Sequence, residues 1–226
     1  MSWFSRWAQR TTDIIHGRNF LDPKESIKNI SLIKLESAKD IEKWQLRSDR
    51  DIGGLSTVQW EWCETEQAAH FTGTLNLHVS EEMKKGHHEV KSGYSAVLSD
   101  FFQPHINLQN FGALEVSVKT DGRMYVLNLT PEQYGAERLL QTYLYAPPGE
   151  WTDVILPLSY FMRTWKGYID GTADSEDLLN ISRIGLLMAE RADGPFSLYF
   201  RSIRAIVHKP TSRMTLLPSE MSDHEL

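Results

Sequence analysis

Hydrophobic and polar residues alternate along much of the chain. In 111–119, Leu114, Val116 and Val118 point to one side of an extended backbone, and the polar residues between them point to the other. A side-chain period of two is typical of a β-strand with one face in the core and one face in solvent. The segment 69–79 follows the same rule. The pattern therefore predicts a β-rich body.

Short segments of this kind recur at nearly regular spacing. The predicted strands are 31–36, 53–62, 69–79, 93–101, 111–119, 123–130, 139–147, 151–158, 182–190 and 195–207. The segment 37–44 predicts a helical turn, with Ser37 as its cap and Asp40 at its third position. Because the crossover helices of a parallel α/β fold are absent from this pattern, the predicted fold class is all-β, an antiparallel jelly-roll β-sandwich.

Turn residues separate the predicted strands. Asp121-Gly122 stands between two alternating segments, and it predicts a β-hairpin over 111–130. Further turns are predicted at Pro147-Pro148-Gly149 and at Ala192-Asp193-Gly194-Pro195. Pro157 ends a predicted strand, and because proline cannot donate a backbone hydrogen bond we expect it at a sheet edge or a bulge.

The two ends of the chain lack the strand pattern. Residues 1–30 begin with Arg6 and Arg10 before the first acid, and apolar residues at helical spacing predict a short helical segment. An arginine-bearing, acid-poor start resembles a mitochondrial presequence, while a docking helix or a helix on a membrane surface are the alternatives. Residues 31–208 are predicted to form the sandwich domain, and 209–226 a mobile tail.

Composition narrows the classes of function. The 226 residues include 24 Lys and Arg against 30 Asp and Glu, a formal net charge of −6, which disfavours a nucleic-acid partner. The single cysteine, Cys63, excludes an internal disulfide and thiolate zinc clusters. No apolar run approaches the roughly 18–20 residues that span a bilayer, so a membrane contact is expected to be peripheral.

Sequence signatures of catalysis are missing. The chain contains no GxxxxGK[ST], no GxGxxG and no GxSxG motif. His87 and His88 are adjacent, but no other ligand completes a metal site by spacing. A carboxylate pair for glycoside hydrolysis stays open, because such a pair is defined by its separation in space. We therefore predict no catalytic residues, no metal and no cofactor, and a protein that is not an enzyme.

Aromatic residues are the main positive feature, at 11% of the chain. On a sandwich, an exposed aromatic row can stack on sugar rings or anchor a protein partner, while the alternative is that the rings fill the core. Trp60 and Trp62 share one strand face, so both are buried or both are displayed. Tyr143 and Tyr145 share a face opposite Leu144.

Six motifs, in order, carry a resemblance to a known family. They are SDRDIGGLST (48–57), FTGTL (71–75), GYSAVLSD (93–100), FGALEVSVKTDGRMYVLNL (111–129), WTDVILPLSYF (151–161) and RIGLLMAERADGPFSLYFRSI (183–203). Together they resemble the complex I intermediate-associated protein family, assembly factors of mitochondrial NADH–ubiquinone oxidoreductase. The resemblance covers about residues 31–208. Its fingerprint residues look like turn-formers and packing residues: Asp49, Gly53, Gly54, Ser56, Asp121, Gly122, Arg123, Tyr125, Trp151, Pro157, Gly185, Gly194, Pro195 and Phe196.

The resemblance implies both a fold and a function. The fold would be a galactose-binding-like jelly roll, related to carbohydrate-binding modules. The function would be that of a non-catalytic assembly chaperone in the mitochondrial matrix, associated with the inner membrane. Its partners would be unfinished membrane-arm subunits of complex I and other assembly factors. A module that binds sugar, or one that binds proteins generally, is the alternative.

Two regions are expected to contact partners. The first is the charged loop 80–92, since loops on rigid scaffolds carry recognition, and its named residues are Lys84, Lys85, His87 and His88. The second is the surface near Asp121, Arg123 and Tyr125. Arg123 directly follows a turn and could instead tie that turn to a carboxylate, which is the role we favour.

Overall fold

The computed structural model describes residues 29–78 and 93–207, apart from the side chains of 135–137. The predicted helical segment within 1–30 and the predicted tail 209–226 therefore lie outside the described residues. So does the loop 80–92 with Lys84, Lys85, His87 and His88.

β-Strands make up most of the described chain. They are β1 (Ile30–Lys34), β2 (Gln45–Ser48), β3 (Thr57–Cys63), β4 (Ala68–Leu75), β5 (Ser95–Leu98), β6 (Ala113–Thr120), β7 (Tyr125–Pro131), β8 (Arg138–Leu144), β9 (Trp151–Pro157), β10 (Met162–Trp165), β11 (Tyr168–Thr172), β12 (Ile181–Met188) and β13 (Gly194–Ile206). Short 3₁₀ helices cover Ala38–Ile41, Asp49–Ile52, Glu132–Glu137 and Leu158–Tyr160. The sequence did not predict β2, β10 and β11, which are four or five residues long.

Two antiparallel sheets form the sandwich. The six-stranded sheet has the order β3-β4-β13-β6-β9, with β1 also paired to β13. The seven-stranded sheet has the order β11-β10-β8-β7-β12-β5-β2. This architecture confirms the predicted all-β jelly roll of the galactose-binding-like type.

Alternation along the strands builds the core. Leu114, Val116 and Val118 on β6 are fully buried, as predicted. On β7, Tyr125 and Leu127 are also fully buried, and they face the core from the opposite sheet. The interior between the sheets therefore receives every second residue of each strand, which is the usual packing of a sandwich.

The predicted hairpin over 111–130 is wrong. β6 pairs with β13 and β9, whereas β7 pairs with β12 and β8, so the two strands belong to different sheets. The Asp121-Gly122 turn exists, with Gly122 at a φ of 86°, but it carries the chain across the sandwich. Alternation shows which side chains face a core, and it does not show from which sheet they face it.

Two smaller predictions are confirmed. The carboxylate of Asp40 accepts hydrogen bonds from the backbone N–H groups of Glu36 and Ser37, at 2.8 Å each, at the start of the 3₁₀ helix Ala38–Ile41. Pro157 is the last residue of β9, which is an edge strand of the six-stranded sheet.

Candidate binding face

Asp121 connects the turn that follows β6 to strand β13. Its Oδ1 accepts hydrogen bonds from the Arg123 N–H at 3.0 Å and from the Tyr125 hydroxyl at 3.1 Å. Its Oδ2 accepts from the Ser197 N–H at 2.8 Å. Burial raises the pKa of Tyr125 above its ordinary value, so the phenol stays neutral and remains a donor. Tyr125 is fully buried, and its ring is part of the core.

Arg123 holds a different connection, the one between β12 and β13. Its Nε donates to Glu190 at 2.7 Å, and its two terminal nitrogens donate to three backbone carbonyls, those of Ala192, Gly194 and Pro195. A guanidinium can make such a set because its five N–H groups are fixed in one plane. Arg123 thus ties a turn to a carboxylate, and within the described residues this internal role accounts for its hydrogen bonds.

Asp49 fastens a second connection near the same end of the sandwich. It is fully buried, and its carboxylate accepts from the Ser56 N–H at 2.9 Å, the Ser56 hydroxyl at 2.8 Å and the Gly93 N–H at 2.5 Å. Because a buried carboxylate without partners would be costly, these three donors account for its position. Asp49 and Ser56, two fingerprint residues, therefore form one internal staple.

Leu77 and Gly93, described residues on either side of the loop 80–92, lie near the turn that Arg123 holds. The N–H of Leu77 donates to Asp193 at 2.6 Å, and Asp193 belongs to the turn that Arg123 holds. Gly93, whose N–H donates to Asp49, lies directly against the side chain of Leu77.

The outward face of the six-stranded sheet is polar. Its central row includes His70, Tyr199 and Lys119, which are paired across β4, β13 and β6. The His70 and Tyr199 rings stack at 4.2 Å, and Lys119 forms an ion pair with Glu66 at 2.6 Å. This face is normal for a sheet that turns one side to water.

The outward face of the seven-stranded sheet is different, and we call it the open face. Along each strand, the members of this face alternate with residues that point into the core. Where a strand is too short to show this, its members are paired across the sheet with outward residues of a neighbouring strand. They are Arg47 and Gln45 on β2, Ala96 and Leu98 on β5, Arg183, Gly185 and Leu187 on β12, Val126, Asn128 and Thr130 on β7, Leu139, Gln141 and Tyr143 on β8, Met162 and Thr164 on β10, and Ile169 and Thr172 on β11. Aliphatic side chains thus occupy positions that a solvated sheet gives to polar residues.

Small side chains form a floor in the middle of the open face. Asn128 and Thr164 point outward, yet they are only 3% and 5% exposed because larger neighbours surround them. The side-chain nitrogen of Gln141 donates to Asn128 at 2.9 Å. Next to Asn128, Gly185 leaves room for Leu98, whose Cδ2 would be 2.5 Å from a Cβ at that position. The floor is therefore recessed, and the amide groups of Asn128 and Gln141 hydrogen-bond to each other.

Charge on the open face has one sign. Arg47 and Arg183 are its two charged members, and no acid occupies an outward position among the described residues of this sheet. Arg183 donates twice to the Ser99 carbonyl, at 2.9 and 2.8 Å, and its guanidinium lies 4.4 Å from the centre of the Phe101 ring. Burial, and then the charge of Arg47, lower the pKa of Arg183, while the charge of the nearby Asp100 acts in the opposite direction; Arg183 stays charged at neutral pH.

The aromatic residues divide between core and surface. Trp60 and Trp62 pack against the core, and the Trp60 ring lies 4.9 Å from that of Trp44. Tyr143 and Tyr145 are 62% and 52% exposed while Leu144 between them is buried, as predicted. The open face as a whole was missed by the sequence reasoning. A usable signal exists in β12, where Ile184–Met188 is an unbroken apolar run in a strand of an antiparallel sheet.

Two kinds of feature are absent from the described residues. Across 29–78 and 93–207, no three His, Cys, Asp or Glu side chains gather in a way that could hold a metal ion. No helix in this part of the chain has the length and apolarity needed to cross a bilayer.

Fold and surface together define the class, a galactose-binding-like β-sandwich with aliphatic side chains on the outward face of one sheet. The chain belongs to the family described as complex I intermediate-associated protein 30 (CIA30), whose profile matches residues 33–200.

Two relatives carry that name. "Complex I intermediate-associated protein 30, mitochondrial" of Mus musculus is 29% identical over 170 residues, which are 71% of this chain and 51% of the relative. The protein of the same name from Neurospora crassa is 23% identical over 228 aligned positions, covering 86% of this chain and 81% of the relative. The match thus spans about half the length of the mouse relative.

Solved structures agree on the fold. The family 11 carbohydrate-binding module from Clostridium thermocellum, in complex with a β-1,3-1,4-mixed-linked tetrasaccharide, superposes with a TM-score of 0.54 at 16% identity, over 80% of this chain and 97% of that one. The family 11 module of the cellulase Lic26A-Cel5E gives 0.55 at 15% identity, over 84% and 100%. At such identities the likeness concerns the fold alone.

Proposed function

We propose that this protein takes part in complex I assembly as a non-catalytic binding protein, and that it holds unfinished membrane-arm subunits on its open face. The observation that carries the proposal is the contrast between the two outward faces. One sheet shows ion pairs and polar residues, and the other shows aliphatic side chains without acids. Membership of the CIA30 family supports the link to complex I.

The physical basis is surface coverage. A membrane-arm subunit without its neighbours exposes apolar surface that promotes aggregation. A rigid sheet can cover such a surface by packing alone and can leave when the permanent partner arrives. Covalent chemistry is not needed for either step. We propose that the activity lies in the mitochondrial matrix beside the inner membrane, together with other assembly factors. The names of the two relatives, which call them mitochondrial, support the organelle.

Complementation tests this function. Cells that lack the protein are given the full chain, a Leu187→Asp variant or a Gln59→Asp variant, and mature complex I is measured on native gels. Leu187 is on the open face and Gln59 is exposed on the outward face of the other sheet, so both changes add one acid to a sheet surface. We expect Gln59→Asp to restore complex I and Leu187→Asp to fail. Melting temperatures of the purified variants check that both fold.

The opposite result would contradict the proposal at two levels. Normal complex I in cells without the protein rules out the assembly role. Full rescue by a folded Leu187→Asp variant would leave the assembly role intact and would exclude the open face as the surface that binds the subunits.

Sugar binding is the second candidate, and one observation favours it. Tyr143 is exposed on the open face beside the Asn128–Gln141 amide pair, and aromatic rings next to amides are suited to stack on and hydrogen-bond to a sugar. Titration with a β-1,3-1,4-linked tetrasaccharide tests it. A saturable change in fluorescence that Tyr143→Ala removes would support sugar binding, and no change at millimolar sugar would exclude this ligand.

A further inference from the structure

The low part of the open face runs across the strands. Gly185 on β12 pairs with Asn128 on β7, and both residues are buried. Leu187 and Val126, which form a neighbouring pair on the same two strands, are more exposed, and so is Arg183 on the opposite side of Gly185. A partner that follows the low part of the face therefore crosses the strands instead of running along one of them.

Aliphatic side chains extend this surface over six neighbouring strands, from β5 to β11. One of them stands on each strand: Leu98, Leu187, Val126, Leu139, Met162 and Ile169. Neighbouring strands are about 4.8 Å apart, so the first and the sixth are roughly 24 Å apart. An α-helix rises about 1.5 Å per residue, and about 16 residues cover that distance. The surface thus has the length of a helix of roughly four to five turns.

The polar groups at the bottom of this surface are bonded within the protein. The side-chain nitrogen of Gln141 donates to Asn128 at 2.9 Å, and the hydroxyl of Thr164 donates to the Leu139 carbonyl at 3.3 Å. Three side chains in the described part of the chain have a buried polar atom without a hydrogen-bond partner, and none of them is on the open face: Trp60, Arg163 and Asp177. A partner that lies over this region therefore gains little hydrogen bonding from it.

An extended polypeptide and an α-helix differ in what they need from such a surface. The N–H and C=O groups of an extended segment lose their water when they lie on the face of a sheet. They find no replacement there, since the backbone groups of the inner strands are paired with neighbouring strands. A helix satisfies its backbone groups internally and presents only side chains. The open face is therefore suited to a helix with apolar side chains.

Charge does not select the partner. Arg183 donates to the Ser99 carbonyl, and it is attracted by the nearby Asp100. Arg47 is on β2, at the edge of the sheet and two strands away from β12. An uncharged partner can therefore lie along the middle of the face without displacing either arginine.

We propose that the open face binds one apolar α-helix, such as a membrane-spanning segment, with its axis across the strands. This inference rests on the proposed function, and it names the form of the subunit segment that is held. A spanning helix has about 20 apolar residues, which is enough to cover the six strands. Outside the membrane such a helix exposes its whole apolar surface, which is what the proposed assembly role has to prevent.

Labelled peptides test the form of the partner. The helical probe has about 16 alternating Leu and Ala residues between pairs of Lys, and it is about 30 Å long as a helix. The matched probe has Pro in place of two central Ala residues, which prevents a continuous helix. Fluorescence anisotropy gives the affinity of each probe for the full chain. We expect the helical probe to bind about tenfold more tightly than the matched probe.

Variants assign the binding to the open face. Leu187→Asp should weaken binding of the helical probe by about tenfold, because it places an acid beneath apolar side chains. Gln59→Asp, on the outward face of the other sheet, is the matched control and should leave the affinity unchanged. The comparison of the two probes uses the unaltered chain, so it does not depend on the folding of either variant.

Crosslinking tests the direction of the helix. Gln45 on β2 and Thr172 on β11 are the two ends of the row of paired residues that contains Gly185 and Asn128. These ends are six strand spacings, or about 29 Å, apart. In a chain with Cys63→Ser, Gln45→Cys and Thr172→Cys, a helical probe with a maleimide at each end should join both cysteines. Mass spectrometry detects the product, and a bound probe that reaches only one of them would contradict the proposed direction.

Three further results would overturn the inference: no binding of the helical probe, equal affinity for the two probes, or tighter binding to phosphatidylcholine vesicles than to the helical probe. These results are independent of complementation. If Leu187→Asp fails to rescue complex I while the two probes bind equally, the assembly role stands and only the helical form of the partner is wrong.

Discussion

The carboxylate of Asp49 fills the space that a side chain at residue 54 would need. A Cβ built on Gly54 would come closer than 3.0 Å to three side-chain atoms of Asp49, a separation that real Cβ atoms do not reach. The glycine is therefore required by the staple that Asp49 forms with Ser56 and Gly93. Two adjacent fingerprint glycines differ here, because Gly53 is needed for its φ of 85° and Gly54 for space.

Gly54→Ala should destabilise the protein by about 3 kcal/mol, since the new methyl group must displace a buried carboxylate. Chemical denaturation measures the free energy of unfolding. Gly149→Ala is the matched control, because Gly149 has a φ of 81° and no atom within 4 Å of a built Cβ. Backbone strain alone should cost about 1 kcal/mol there. Equal losses at both sites would show that the contact with Asp49 is not the cause.

Asp49→Asn should cost about 2–3 kcal/mol, because an amide keeps the shape but turns a donor toward backbone N–H groups that need an acceptor. The same substitution at Asp51, an exposed residue of the same 3₁₀ helix, should change stability by less than about 0.5 kcal/mol. Urea unfolding of the two variants beside the wild type gives the comparison. An Asp49→Asn variant as stable as the wild type would show that the hydrogen bonds of the Asp49 carboxylate do not stabilise this part of the fold.

Arg123→Ala should lower the melting temperature by about 5–8 °C, which corresponds to about 2 kcal/mol for a domain of this size. The reason is the loss of the Glu190 ion pair and of the bonds to three carbonyls. Arg191→Ala, in the same turn but exposed, serves as the control and should leave the melting temperature unchanged. Unaltered stability together with lost partner binding would identify Arg123 as a contact residue instead.

Acidification should destabilise the protein in part through His70. Burial, the largest cause, lowers the pKa of this ring below its ordinary value of 6.5. Below about pH 6.5 the unfolded chain therefore binds a proton that the folded chain binds only at lower pH, so the free energy of unfolding falls as the pH falls. His70→Gln should flatten this dependence between pH 7.5 and 5. An unchanged slope in the variant would contradict this prediction.

Much of the fold was predictable because burial imposes a period of two on each strand. The alternation in 111–119 and the turn at Asp121-Gly122 were both right. The pairing of the two strands was not, since their partners are chosen by hydrogen bonds to distant segments. Ser197, which bonds to the Asp121 carboxylate from the neighbouring strand of the same sheet, is 76 positions away in the sequence.

The open face was hidden from the sequence for a related reason. Leu98, Val126 and Leu187 become neighbours only when β5, β12 and β7 are placed side by side. Along the chain, each of them looks like one more apolar residue in a strand. The loop 80–92 and the Asp121 cluster were predicted from local composition, whereas the open face depends on the order of the strands in the sheet.

Strand β13 pairs with β1, β4 and β6, and its partners begin as far back as Ile30, opposite Ala205. β13 therefore joins three parts of the sheet that do not otherwise pair with one another: β1, the β3–β4 pair and the β6–β9 pair. Folding must therefore close very large loops, and refolding in vitro should be slow, on the millisecond-to-second scale typical of such topologies or longer. During synthesis these parts can be joined into one sheet only after the last strand has been made.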